Sequence, residues 1–265
     1  MPSPTLAHRR VNPRIWDTDW LQLRPLAKLL AGQAGAHVVP GALVVDFGCG
    51  DMPYAGLLRG LGFDYRPADI AGDIVDGQPT PGPAPGKLVI SPEGRVPLPD
   101  GSAGAVLSAQ VLEHVADLDS YCAEIRRLLA PGGTLLLSTH GTWLYHPHPT
   151  DFRRWTRTGL VLDLETRGFV VEEIFAVAGP LATTTMLRLT GFAYVLRRLP
   201  VLGPLVAALL AVVMNLRGIV EDAITPAQMR MDNACVYLVR AHVTAGVAVT
   251  GAAGPRPENP EDRAA

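Results

Sequence analysis

The run Val44-Val45-Asp46-Phe47-Gly48-Cys49-Gly50 constrains this 265-residue chain more than any other stretch. Apolar residues end in an acid, and two glycines follow at once. A short run of this kind reads as a strand buried on both faces, and the glycines as a tight turn where backbone can approach a ligand closely. Open α/β sheets build nucleotide sites this way, at the carboxyl end of the first strand.

The detail of the turn narrows the ligand. A dinucleotide fingerprint carries a third glycine three residues after the second; here Pro53 stands in that place. Asp51 beside the turn and Asp46 before it would repel a pyrophosphate. The turn therefore suits a nucleoside that lacks phosphates or carries positive charge. S-adenosylmethionine, with its adenosine, ammonium and sulfonium, meets both conditions. An acid followed by Gly-x-Gly resembles the first motif of class I S-adenosylmethionine-dependent methyltransferases. The competing reading is an ordinary strand-to-helix turn.

Length allows one large α/β domain with additions. With 48% hydrophobic and 18% charged residues the chain can build a substantial core. A formal charge of -2 gives no electrostatic case for nucleic acid as a partner. The three cysteines, Cys49, Cys122 and Cys235, are widely spaced, which suggests a reducing, cytoplasmic compartment and offers no zinc spacing. The first ten residues lack the apolar core of a signal peptide.

Strand-like runs near residues 43–47, 63–68, 87–90, 105–108, 134–139, 169–176 and 234–241 alternate with helical periodicity. The expected fold is a Rossmann-like, seven-stranded, mostly parallel sheet with helices on both faces and an antiparallel last strand. Its divisions are an N-terminal helical extension (1–40), a donor-binding core (41–178), an apolar helical insertion (179–233), the final strand (234–243) and a disordered tail (244–265). The clearest helix covers 117–129, with Asp117 as N-cap and Pro131-Gly132-Gly133 as the stop.

Asp69 ends the second strand about twenty residues after the turn, where such folds hold a ribose. Asp73 and Asp76 follow it. Pro97-Leu98-Pro99-Asp100-Gly101-Ser102, then Gln110-Val111-Leu112-Glu113-His114-Val115, then Leu128-Leu129-Ala130-Pro131-Gly132-Gly133 are similar to the small-molecule methyltransferase domain in order and spacing. That resemblance implies a donor site of Asp46, Gly48, Cys49, Gly50, Asp69, Ile70, Gln110 and Glu113, with S-adenosylmethionine as cofactor. It also puts His114 beside donor and acceptor. Glu113 and His114 have a plainer reading as capping and supporting groups. The acid that usually meets adenine is missing before Pro97, leaving Glu93 as a candidate.

The loop from His140 to Thr156 crowds three histidines, two arginines, an acid and aromatics after the fifth strand. Connectors rarely concentrate such groups. Its pattern His-Pro-x-Pro-x-Asp-x-x-Arg-Trp-Thr resembles a subgroup of bacterial methyltransferases. His148, His146 and His114, with Asp151, are the expected catalytic set on the acceptor side, and His140 follows them. An Asp151–Arg154 ion pair and a Thr156 helix cap are the structural alternative. The residue set offers no metal site of recognised spacing.

Residues 199–216 contain no charge. A bilayer-spanning helix needs roughly 20 apolar residues, so this segment is borderline, and the strand after it must return to the sheet. A helical pair lying over the acceptor pocket or forming a homodimer surface is expected. Peripheral membrane contact stays open because Arg197, Arg198 and Arg217 flank the segment. The function expected is methyl transfer to a small or lipid-linked acceptor. A non-catalytic donor-binding scaffold and an NAD-dependent enzyme are the rivals.

Overall fold

The computed structural model describes residues 6–70, 74–75, 78–79, 86–147 and 150–244. Asp73, Asp76, His148 and the tail from 245 onward lie outside these residues. The main sheet has seven strands: β1 (Leu43–Phe47), β2 (Asp64–Ile70), β3 (Leu88–Ile90), β4 (Ala103–Ala109), β5 (Leu129–His140), β6 (Phe169–Val177) and β7 (Val236–Val243). Their order is β3-β2-β1-β4-β5-β7-β6, and only β7 runs antiparallel to its neighbours. This is the fold class the alternation implied. A separate two-stranded ribbon joins Ile74–Val75 to Gln78–Pro79.

The strand order reverses between β1 and β4, which opens a crevice beyond their carboxyl ends. Two apolar layers hold the sheet. One face packs Leu26, Leu30 and Met186 against Val44, Leu107 and Leu136; the other packs Ile125, Leu128, Leu160 and Leu164 against Val45, Val106 and Leu135. Burial on both faces explains why these strands read as continuous apolar runs.

Helices α1 (Leu6–Val11) and α2 (Trp20–His37) precede the sheet. Helix α3 (Ala55–Gly60) follows the glycine turn, and α4 (Leu118–Leu128) follows β4. Asp117 caps α4 by accepting from the backbone N–H groups of Asp119 and Ser120. The helix stops three residues before Pro131, earlier than expected. Leu129 is already extended, which leaves the helix one residue short of the expected end. Pro131-Gly132-Gly133 instead lies inside β5, where the register against β4 shifts. A second difference concerns Glu124, which periodicity placed outside the apolar face. It is buried, ion-paired to Arg127 at 2.7 Å, and accepts the Val96 N–H.

Helix α5 (Arg157–Glu165) precedes β6, and α6 (Pro180–Leu196), α7 (Gly203–Ile224) and α8 (Ala227–Asp232) lie between β6 and β7. Helices α6 and α7 pack together as a hairpin, and α7 also touches α2. Thr244 hydrogen-bonds Gly168 at the end of β7.

Candidate active site

The glycine turn is held by the end of β2. The N–H groups of Gly48 and Cys49 both donate to the Ala68 carbonyl, at 2.9 and 3.1 Å. Gly48 has φ +82°, and a Cβ there would lie 2.8 Å from both Val111 methyls. Glycine is required on both counts. Gly50 has φ +49° and open space where a side chain would project. Its N–H donates to Asp69 Oδ2 at 2.8 Å, and its carbonyl accepts from Lys87 Nζ at 2.5 Å. Asp69 Oδ1 accepts the Ile70 N–H, and Ile70 is exposed at the rim. The structure thus brings Gly48, Cys49, Gly50, Asp69 and Ile70 to one edge. It adds Lys87, which lies 3.9 Å from Asp69 with its side chain nearly buried. A lone lysine before a three-residue strand gave no sequence signal.

Asp46 differs from the expectation that it shows a charge to the ligand. It is buried beneath the turn and accepts a 2.6 Å hydrogen bond from the Tyr65 hydroxyl. Burial pushes its carboxyl up to about 7, against the opposing effect of that hydrogen bond. The acids that reach solvent at this edge are Asp69, which is partly exposed, and Asp51, which is exposed beside the turn. Cys49 is buried, and burial, Asp46 and Asp69 all raise its thiol, so it is no nucleophile. Glu93 is exposed and accepts from the Ser91 hydroxyl.

The second half of the site comes from three segments. Gln110, immediately after β4, has φ +56°. A left-handed backbone at a non-glycine residue stores strain of the kind that collects at functional sites. Its N–H donates to the Ser138 carbonyl at 2.8 Å, and its side chain reaches 3.3 Å from His140 Nε2. The following 3-10 turn, Leu112–His114, carries Glu113 and His114. Glu113 is fully buried. Oε2 accepts from the Thr139 hydroxyl at 2.8 Å, Oε1 stands 3.6 Å from His140 Nε2, and the backbone carbonyl accepts the Phe152 N–H. This corrects the expectation that Glu113 contacts the donor: it braces the loop from below. Burial raises its carboxyl, and burial also drives His140 well below the usual histidine range, so that imidazole is uncharged at neutral pH.

His146 is the meeting point. Its ring sits edge-on to His114 and His140, with centroids 5.0 and 5.1 Å away, and His140 stacks on Trp143. His114 Nδ1 is 2.7 Å from the Thr150 carbonyl, which makes Nδ1 the donor. Asp151, expected to face the acceptor, turns inward. Its two oxygens take Arg154 at 2.5 and 2.6 Å, and Oδ2 also accepts the His146 N–H at 2.9 Å. The guanidinium holds the carboxyl well below the usual carboxylate range. Arg154 further donates to the Leu144 and Arg153 carbonyls, and Arg153 ties the loop to Val115 and Ala116. Thr156 caps α5 through the Gly159 N–H. The ion pair and cap of the structural alternative are therefore both present, and Arg154 is the hub that residue types alone did not single out.

Burial, followed by the neighbouring His114, lowers the pKa of His146. His146 Nδ1 lies 3.4 Å from both Asp151 Oδ2 and the Arg154 guanidinium; in the tautomer that donates Nδ1–H to Asp151, Nε2 is free to accept a proton. Glu113, His114 and His146 each offer a donor atom within 4.8 Å of the other two, a spacing open to a cation. The Arg154 guanidinium, 3.4 Å from His146 Nδ1, opposes one.

Residues 45–137 match the family model described as a methyltransferase domain. The match covers the glycine turn, Asp69, Gln110, Glu113 and His114, and stops before the histidine loop. A probable S-adenosylmethionine-dependent methyltransferase from Mycolicibacterium smegmatis is 33% identical over 153 residues, covering 54% of this chain and 57% of that protein. The chain spans about half the length of the curated relatives it matches. Among solved structures, the [4+2]-cyclase SpnF superposes with a TM-score of 0.51 at 17% identity, covering 85% of this chain and 84% of the other. The 1,6-didemethyltoxoflavin-N1-methyltransferase of Burkholderia thailandensis, with bound 1,6-didemethyltoxoflavin and S-adenosylhomocysteine, gives 0.50 at 15% identity, covering 88% of this chain and 82% of the other. At such identities the superpositions establish the fold alone.

Proposed function

We propose that this chain is an S-adenosylmethionine-dependent methyltransferase of the class I, Rossmann-like type, acting in the cytoplasm on a small or lipid-linked acceptor. The observation that carries the reading is the Asp69–Gly50 contact beside an open glycine edge, within the matched methyltransferase domain. A carboxylate at the end of β2 is the group a ribose hydroxyl pair needs. No third glycine accompanies it: Pro53 stands in that place. The residues present fit the donor: Gly48 and Gly50 give backbone access, Asp69 takes the ribose, and Lys87 fixes the turn. Asp46 supports the edge through Tyr65.

Bound donor would supply an activated methyl group on a sulfonium. The chain's own residues then have to align an acceptor, exclude water and receive a proton. The acceptor atom would take that methyl group, with the electron pair of the broken carbon–sulfur bond left on the departing thioether. For a hydroxyl acceptor, His146 Nε2 takes the proton. Asp151, fixed by Arg154, holds Nδ1 of the same ring. Glu113 and Thr139 set the floor on which His140 and His146 rest.

Because a cyclase shares the fold, donor binding alone does not identify the reaction. The test supplies isotope-labelled donor and the purified chain to a cell extract and looks for a labelled product. Product formation that disappears in His146→Ala supports methyl transfer at this site. Donor binding without any product would favour the scaffold reading.

A further inference from the structure

Helix α7 reverses the usual pattern of a surface helix. Its buried positions are Gly203, Ala207, Ala211, Met214, Asn215 and Gly218, which face α6 and α2. The opposite stripe is Leu205, Leu209, Val213, Leu216, Val220 and Ile224, each 51–66% exposed. These positions repeat at three- and four-residue intervals, where a soluble protein would place charged groups. The stripe continues into the connection to α6, where Val201 is 91% exposed. Contiguous apolar surface on this scale marks an interaction site.

The charge around the stripe selects the partner. Between Pro180 and Ile224 there are four arginines, Arg188, Arg197, Arg198 and Arg217, and two acids, Glu221 and Asp222, of which Asp222 is paired with Arg230 at 3.6 Å. Arg217 is neutralised by Glu221 at 2.7 Å, but Arg188, Arg197 and Arg198 are exposed. Arg198 lies over the Tyr194 ring and donates to its hydroxyl at 2.6 Å, an amphipathic pair suited to a headgroup layer. A two-fold contact with a second copy would bring like charges together. An anionic bilayer matches both the stripe and its flanks.

The same helix is long and apolar enough to cross a membrane by length and composition, yet it is pinned to the body. Asn215 Nδ2 donates to the Ile15 and Asp17 carbonyls at 2.7 and 2.9 Å. At Gly218 the helix runs so close to Leu21 that a Cβ would lie 2.2 Å from its Cδ1. Spanning would tear out these contacts and drag Arg197 and Arg198 through hydrocarbon. A helix held on one side and bare on the other lies flat in the interface.

We propose that the α6–α7 hairpin is a monotopic anchor that lays the outward stripe of α7 on an anionic membrane. Its root adjoins the active edge, because Val236 of β7 pairs with both His140 and Val177, the last residue of β6, three residues before the hairpin begins at Pro180. Resting on the methyltransferase reading, this deepens it: the acceptor is drawn from the bilayer and is lipid-linked.

The test floats the full chain with vesicles of phosphatidylcholine alone and with vesicles containing about one-third phosphatidylglycerol. Preferential binding to the anionic vesicles, weakened by salt, is expected. Val213→Glu with Val220→Glu, placed on solvent-exposed positions, should cut binding at least about tenfold, with thermal melting and S-adenosylhomocysteine affinity unchanged. Arg197→Glu with Arg198→Glu should erase the anionic preference. A wild-type chain that stays unbound, or a glutamate variant that floats equally well, overturns the anchor. So does a wild-type dimer that the glutamate variant converts to monomer, since the stripe would then belong to a second copy. Failure of S-adenosylhomocysteine to bind the wild type would instead strike the methyltransferase reading and leave the flotation result standing.

Discussion

At the glycine turn, the bonds that fix the site run mainly through backbone: Gly48 and Cys49 onto Ala68, Gly50 onto Asp69 and Lys87. At the histidine loop they run mainly through side chains, from Glu113, Asp151, Arg153 and Arg154. The first half needs a short contiguous motif and two residues at nearby strand ends. The second half gathers groups from residues 110–114, 138–146 and 150–155. The turn depends on its glycines and on the two side chains that hold Gly50, Asp69 and Lys87, whereas the side-chain scaffold depends on each of its members. The donor half and the acceptor half should therefore fail separately under mutation.

The sharpest separation is expected at His146. Removing the proton acceptor should lower turnover of labelled donor by about 10²–10⁴-fold while S-adenosylhomocysteine affinity, read by calorimetry, stays within about twofold. Equal loss of both would show that the histidine serves the donor half, and the division would collapse.

Arg154→Ala comes next. It strands the inward-facing Asp151 carboxylate and releases the Leu144 and Arg153 carbonyls, a cost of about 3 kcal/mol for a buried pair broken from one side. Hydrogen exchange should rise across residues 142–155 and stay unchanged in 43–50. Exchange rising equally at the glycine turn would mean that the halves form one cooperative unit.

Asp46 makes the smallest of these effects, and it belongs to the donor half. Its carboxyl titrates near 7 in the folded chain, above its ordinary range of about 4. The folded state therefore holds this proton more tightly than the unfolded state. The resulting stability is full below about pH 4 and is lost as pH rises to about 7. Asp46→Asn keeps an acceptor for the Tyr65 hydroxyl but cannot ionise. Relative to the variant, wild type should lose about 2 kcal/mol between about pH 5.5 and 7.5, measured by denaturant titration. A constant difference across that window would remove the buried, neutral carboxyl from the account.

Legibility followed the same division. The seven strands, the Asp117 and Thr156 caps and the glycine turn were all visible in the chain, because each rests on local periodicity or on one residue type at one place. Glu124 was not, since its partners Val96 and Arg127 come from different elements. Asp46 looked like a ligand-facing acid because nothing in its neighbourhood announces the Tyr65 hydroxyl from the adjacent strand. Asp151 and Glu113 carried the residue types of catalysis but point inward, and direction is a tertiary property. Lys87 and the hub role of Arg154 are tertiary for the same reason. The charge-free run at 199–216 was plain in the sequence. Which side of α7 would be bare depended on Asn215 and Gly218 meeting the N-terminal segment.

The central claim is that Asp69 and the glycine turn form a donor site. Calorimetry of S-adenosylhomocysteine against wild type and Asp69→Ala tests it most directly, with NAD as the control ligand. The account predicts one saturable site in the wild type, affinity lowered at least about tenfold in Asp69→Ala, consistent with loss of a charge-assisted hydrogen bond, and no heat from NAD. Binding of NAD in place of S-adenosylhomocysteine, or unchanged affinity in Asp69→Ala, would contradict it.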